Sequence, residues 1–390
     1  MVASEVVDAL RATPCGRRLL DVAQQNDGIW LVGGAVRDLM LGLVPHELDL
    51  AVEGDVESIV EALEGDALVH ERFDTATVQS GDCRYDLART RTDTYAAPGA
   101  LPDVTPASLT ADLARRDVSV NAIAVRLPDG QLESVPGAID DLRAGILRVL
   151  HDGSFVDDPT RLWRVARYAA RLSFVVDERT AELARAAAPG AVSGERLGYE
   201  LRLALAEDDP CAVFENVAEL NAMALPAGFA VRPAALPDAL ELLPGDGRRD
   251  LLILAACCAA MELDLLQRWL DHLQFPASDR DNVAASSSWV TGAPLRAAPG
   301  PVEIARAARG ASPEAIALAG GDNARRWLDE LRHVRLEITG DDLLAAGVPE
   351  GPQVGARLRS ALEAKLAGRV DGRDAELAAA LEQLPASRRE

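Results

Sequence analysis

Trp30 to Leu50 reads WLVGGAVRDLMLGLVPHELDL. Gly33 and Gly34 follow a β-like run and precede a helical one, with Arg37 one turn further on. Paired glycines at such a junction let the backbone approach a phosphate closely and aim N–H groups at it. Glu47 and Asp49 lie two apart on a predicted strand, so both carboxylates leave one face and can converge on a divalent cation. An isolated acidic pair reads as an exposed strand edge. A third acid, Asp86 in CRYDLAR, belongs to a second predicted strand and changes the balance. Three carboxylates from neighbouring strands beside a phosphate-binding turn suit two-metal phosphoryl chemistry.

A second constellation is DLARRDVSVNAIAV, from Asp112 to Val125. Arg115 and Arg116 can neutralise phosphates, while Asp117 and Asn121 offer the short polar groups that a ribose hydroxyl requires. A helix end followed by a buried strand, with its arginines solvated, explains the stretch equally well. The third constellation is DDPTRLWRVARYAARLSF, from Asp157 to Phe174. On a helix, Arg161, Arg164, Arg167 and Arg171 share one face while Leu162, Val165, Ala166, Ala169 and Leu172 cover the other. A solvated face mixes its signs to gain pairs one turn apart, so an arginine-only face points to something anionic. At its start Asp158 and Arg161 offer an acceptor and a donor side by side, as reading a nucleobase edge requires.

These residues need a scaffold. Short β-rich runs (IWLVGG, LDLAVEG, TATVQSG, CRYDLAR, VSVNAIAVRL) interleave with helical patterns such as Val56 to Leu63, which predicts a small mixed α/β domain ending near Pro136. From Asp140 onward strand signals almost vanish and helical periods rich in Ala, Leu and Arg take over. The fold class is therefore α+β. The longest apolar run, Leu251 to Met261, is too short for a membrane span and reads as a buried helix. The first residues carry acids where a signal peptide carries lysines, so a cytoplasmic protein is expected. Five cysteines lie scattered without metal-binding spacing, and read as small core residues rather than as a disulfide framework. A formal charge of −22 excludes a general nucleic-acid coating protein. Only Arg143 to Arg202, with ten arginines against eight acids, is locally positive enough to receive a polyanion.

The stretches LVGGAVRDLMLG with ELDL, DLARRDVSVNAIA, DDLRAGILRVLHDGSFVDDPTRLWRVARYAARLSF and GERLGYELRLAL stand in one order and spacing. Together they resemble the class II tRNA nucleotidyltransferases (CCA-adding enzymes) and bacterial poly(A) polymerases. The resemblance implies a polymerase-beta-like nucleotidyltransferase head (residues 1–138), then an all-α neck (139–206), body (207–300) and tail (301–390). It implies template-independent addition of CTP and ATP to a tRNA 3′ end, with no membrane involved. Gly33, Gly34 and Arg37 would hold the triphosphate, and Glu47 and Asp49 would bind Mg2+ with Asp86 as third acid. Arg116, Asp117 and Asn121 would contact ribose and phosphate. Asp158 and Arg161 would pair with the incoming base, and Arg164 and Arg167 would steady the phosphates. The stretch RTRTDTYAAPGALPDV, with Asp93, matches a flexible loop of the family. Two departures stand out: the family has Asp where this chain has Glu47, and Glu where it has Asp157. Narrower members, adding only CC, only A or poly(A), share every motif.

Overall fold

The computed structural model describes residues 3–45, 47–70, 74–187 and 192–382. The chain divides into two compact units, Met1–Leu225 and Pro226–Glu390. The first carries every candidate site residue. Its strands are β1 (Ile29–Val32), β2 (Leu48–Val52), β3 (Asp66–His70), β4 (Thr75–Ser80), β5 (Cys83–Arg89), β6 (Arg91–Thr94), β7 (Asp103–Pro106), β8 (Ile123–Arg126), β9 (Leu132–Ser134), β10 (Ile146–Leu147) and β11 (Val175–Val176), the last two a short parallel pair within the neck expected to be all-α. Seven of them form one sheet in the order β3-β4-β5-β2-β1-β8-β9, while β6 and β7 pair as a separate ribbon.

Most neighbours in the sheet are antiparallel, but β2 and β5 run parallel and place Asp49 opposite Asp86. Because side chains alternate faces along a strand, a slip of one residue would send Asp86 to the other side of the sheet. Burial prevents that slip. Leu48, Leu50 and Val52 on β2 and Tyr85 and Leu87 on β5 are all buried, as is the whole of β1. Trp30, Val32, Ala51, Leu109, Leu113, Ala122 and Ala124 make one continuous apolar cluster around the middle strands.

The helices of this unit are α1 (Ala3–Ala12), α2 (Pro14–Ala23), α3 (Gly33–Met40), α4 (Val56–Leu63), α5 (Leu109–Ala114), α6 (Ala138–Ala144), α7 (Ser154–Asp157), α8 (Arg161–Leu172), α9 (Glu178–Ala186), α10 (Gly194–Leu205) and α11 (Pro210–Glu219). Several starts are fixed by side-chain caps. Thr13 accepts from the Gly16 N–H, Asp55 from that of Glu57 and Ser108 from that of Ala111. Helix α8 buries Leu162, Val165 and Ala166 of its predicted apolar face, and Trp163 besides, while Ala169 and Leu172 are half-buried. Asn216 of α11 donates to the Ala166 carbonyl, so α11 packs with α8 inside the first unit.

The second unit is helical throughout its described residues, and Leu251 to Cys257 form the buried core of a helix, as expected. Near its end Ile338, Leu343, Val348, Ala361 and Ala380 make a small apolar cluster. The one lysine of the chain, Lys365, pairs there with Glu376, which has no exposed surface. Among the described residues no helix is long and apolar enough to cross a membrane.

The cysteine reading needs correction. Cys211, Cys257 and Cys258 are free and buried, but Cys15 and Cys83 form a disulfide. It joins the start of α2 to the start of β5 across a sequence separation of 68, with Cα atoms 5.3 Å apart. Nothing in the spacing of these residues signals the pair. It follows from α2 packing on β5, where the Tyr85 hydroxyl also donates to the Cys15 carbonyl.

Candidate active site

Strand β1 runs directly into α3, and Gly33 makes the turn with φ +66°, a left-handed conformation costly for any residue with a Cβ. A Cβ there would also lie 2.8 Å from Arg116 Nη1. Val32, at the N-cap, offers no side-chain hydrogen bond to the first turn of α3. The N–H groups of that turn thus keep their capacity for an anion. Glu47 is exposed, one residue before β2, and Asp49 is partly buried on the strand itself. Oxygens of Glu47, Asp49 and Asp86 lie within 4.8 Å of one another. Burial first, and the Glu47 charge second, push the Asp49 carboxyl up to about 6, against the opposing pull of Arg116. Three hard oxygen donors, one of them with its ionisation opposed by burial and by a neighbouring carboxylate, fit a divalent cation.

The stretch after α5 supplies the opposite charge. Asp112 is buried and accepts from Arg115 at 2.6 Å and from Arg116 at 2.9 Å. Burial pushes its carboxyl up, but the two guanidiniums outweigh burial and hold it below the usual range. Arg116 is thereby fixed beside the Gly33 turn, with its Nε buried and bonded to nothing. Asp117 is also buried. Its Oδ1 accepts from the Val118 N–H and from Asn121 Nδ2. Its Oδ2 accepts no hydrogen bond, although Arg164 Nε lies 2.8 Å away as an ion pair. Asn121 in turn accepts from Arg37 at 2.6 Å. Arg37 has 1% of its surface exposed, donates to Asp38 and stacks over the Tyr168 ring at 5.1 Å. It braces α3 against the Asn121 stretch as well as lining the cleft.

The arginine face of α8 does meet anions, and the nearest ones belong to the protein. Arg164 pairs with Asp117, Arg167 with Glu200 and Glu207, and Arg171 with Asp38. The acids are supplied by other elements, which a periodicity taken along α8 alone does not reveal. At the head of the helix Arg161 donates to Ser154 Oγ at 2.8 Å and to the Arg115 carbonyl at 2.7 Å. Asp158 Oδ1 accepts from Thr160 and, at 2.7 Å, from Arg196 of α10.

All thirteen expected site residues line a single cleft of about 710 Å³ within the first unit. Eight arginines and seven carboxylates surround it, a small positive excess in a chain of charge −22, which favours a polyphosphate there. The stretch expected as a loop supplies β6, the start of β7 and the connection at residues 95–102 between them, with the Asp93 side chain buried in ion pairs to Arg91 and Arg115. His151 and Asp152 lie against Asp157 and Arg179, respectively. Three contributors escape the sequence reading. Arg196 and Tyr199 project from α10 inside a quoted motif but carry no signal of their own, and Arg84 sits two residues before Asp86. Period-two alternation along β5 was the available clue for Arg84.

Residues 29–148 match the poly A polymerase head domain. An A-adding tRNA nucleotidyltransferase of Halalkalibacterium halodurans is 40% identical over 213 residues, 51% of this chain and 50% of that one. A CC-adding tRNA nucleotidyltransferase of Deinococcus radiodurans is 41% identical over 223 residues, 51% of this chain and 59% of that one. The chain spans about half the length of these relatives. A solved CCA-adding enzyme without ligand superposes with TM-score 0.76 and 27% identity over 93% of both chains. Residues 29–148 thus carry the poly A polymerase head domain, and the chain with its helical continuation is similar to tRNA nucleotidyltransferases and CCA-adding enzymes.

Proposed function

We propose that this chain adds nucleotides to the 3′ end of tRNA from CTP and ATP without a template, completing the CCA sequence. The observation that carries the reading is the convergence of Glu47, Asp49 and Asp86 beside the uncapped Gly33 turn and Arg116. In the proposed reaction the tRNA 3′-hydroxyl attacks the α-phosphorus of the nucleotide in line, and pyrophosphate departs.

Each residue then has a task. The N–H groups at Gly33 and Gly34 receive the triphosphate, and Arg37 holds that turn in place. Arg116 lies against the turn and neutralises phosphate charge, while Asp117, whose Oδ2 is ion-paired to Arg164, and the neighbouring Asn121 meet the ribose. Asp158 and Arg161 present acceptor and donor to the base edge, and Arg164 and Arg167 steady phosphates from α8. Glu47 and Asp49, with Asp86, would hold Mg2+, which when bound supplies charge neutralisation and a lower hydroxyl pKa. A cytoplasmic location goes with this reading, since both tRNA and nucleoside triphosphates are found there.

The test is to offer CTP and ATP, separately and together, to tRNAs ending before the tail, after C and after CC, and to sequence the products. Full addition requires that the shortest tRNA gain CC from CTP alone and CCA from both. If it gains nothing from CTP, CCA addition is excluded and an A-adding or poly(A) activity takes its place. A weakened site that binds RNA without reaction is the second reading, motivated by Glu47 where the family has Asp.

A further inference from the structure

We infer that Arg84 is the built-in counter-cation of the acidic cluster, and that a divalent cation loads only by displacing it. The inference rests on reading Glu47, Asp49 and Asp86 as a cation site. Arg84 and Asp86 are two apart on β5, so their side chains leave the same face. The parallel register pairs Leu48 with Tyr85 and Asp49 with Asp86. One step back along both strands brings Arg84 across from Glu47, and Arg84 Nε lies 3.5 Å from Glu47 Oε2. The four residues make a charged square with a single positive corner.

The contacts of Asp86 show why that corner matters. Its Oδ2 accepts from Arg84 Nε at 3.0 Å, and its Oδ1 accepts from Arg84 Nη2 at 3.4 Å and from the Thr77 hydroxyl. Both oxygens are therefore engaged by the same guanidinium. A cation shared between Asp49 and Asp86 must take at least one of these oxygens. Asp49 gains its opposing positive charge from Arg116 and Arg164 on the cleft side, so Arg84 serves the outer pair. The Arg84 side chain is 51% exposed, so about half of it already faces solvent. Without metal it quenches repulsion within the cluster. With metal present it competes for Asp86 and then repels the incoming ion until it turns away.

Two measurements on the full chain, without nucleotide or RNA, test this. In Mn2+ titrations followed by electron paramagnetic resonance of the free ion, Arg84→Ala should bind at least about threefold more tightly than the parent at low salt. Arg84→Lys should stay close to the parent, and Asp49→Ala should lose the site. Arg84→Gln replaces Arg84→Ala if the latter is unfolded by circular dichroism. In the unmodified chain the Arg84 Nε–H resonance, assigned by its loss in Arg84→Lys, should move and lose protection from exchange as Mg2+ saturates. Unchanged or weaker Mn2+ binding by Arg84→Ala, or by Arg84→Gln in its place, or a resonance that Mg2+ leaves in place, overturns the inference while the site stands. Equal Mn2+ binding by Asp49→Ala and the parent instead removes the cation site, and the inference with it.

Discussion

Arg196 ties Asp158 to the connection between β6 and β7: one guanidinium nitrogen donates to Asp158 Oδ1 at 2.7 Å and another to the Gly99 carbonyl at 2.8 Å. Asp158 is the proposed acceptor for the base edge, and Gly99 lies in the segment that joins the ribbon strands, of which Tyr95 and Pro102 line the cleft. The position of that segment is thereby coupled to the orientation of the base-reading carboxylate. Loss of a charge-assisted pair of this kind costs about 1.5–3 kcal/mol, or on the order of 10–100-fold in kcat/KM. Arg196→Ala should raise KM for both nucleotides and flatten the ratio of kcat/KM between CTP and ATP. A purely structural role predicts equal losses with that ratio intact. Arg196→Lys, which keeps the charge at Asp158, should recover part of the discrimination.

Gly33→Ala tests the turn. The residue must hold φ +66° with a Cβ 2.8 Å from Arg116 Nη1, so the substitution strains the backbone and pushes Arg116 from its place. Backbone strain of about 1–2 kcal/mol leaves a folded chain. Nucleotide affinity, measured by equilibrium binding of labelled CTP, should fall by at least about tenfold, because a displaced guanidinium loses a charge-assisted contact.

The acidic cluster carries a pH signature. Asp49 titrates at about 6 in the folded chain against its ordinary 3.8. Because the folded value is raised, the folded state holds a proton that the unfolded chain has released between those values. This stabilising contribution is complete below 3.8 and is lost as pH rises through about 6. Ionised Asp49 therefore costs stability at neutral pH when no cation is bound. In thermal melts without metal, Asp49→Asn should be more stable than the parent by a few degrees near about pH 8 and indistinguishable near about pH 4. Mg2+ should stabilise the parent more at the higher pH, since binding must first remove the proton.

The Cys15–Cys83 bond closes a sequence separation of 68 and anchors α2 to the strand that carries Arg84 and Asp86. A crosslink of such span contributes about 2–4 kcal/mol by restricting the unfolded chain. Cys83→Ser should lower the midpoint of urea unfolding under oxidising conditions. Reductant should lower the parent to the same value and leave the variant unmoved. A reductant effect of equal size on both chains would remove the crosslink from the account of stability.

What could be read from the sequence was set by distance along the chain. The Gly33 turn, the spacing of Glu47 and Asp49, and the apolar face of α8 are local patterns, and each has the form that its period dictates. Asp86 was reachable because a strand with alternating burial must expose it on the same side as Arg84. The carboxylates that answer Arg164, Arg167 and Arg171 were not, since Asp117, Glu200, Glu207 and Asp38 arrive from separate elements. The same is true of the Arg196 bridge and the disulfide. In each case the partner is chosen by packing, which residue type and spacing do not encode for a single chain.

Glu47 is the exposed member of the proposed cation site. Its carboxylate stands at the mouth of β2, exposed and 3.5 Å from Arg84, whereas Asp49 is fixed on the strand between buried neighbours. A flexible, solvated ligand can adjust to a cation within about a bond length, so Glu in place of Asp is compatible with a working site. Glu47→Asp shortens the side chain, draws the carboxylate away from Arg84 and loosens the hold of Arg84 on the cluster. We expect the parent to be active and Glu47→Asp to remain within about tenfold of it, with Asp49→Ala lower by at least about a thousandfold. The measurement is single-turnover addition of labelled CTP to a tRNA lacking its 3′ tail. A silent parent that Glu47→Asp brings to life would show that the glutamate has disabled the chemistry, and would leave binding as the function of this chain.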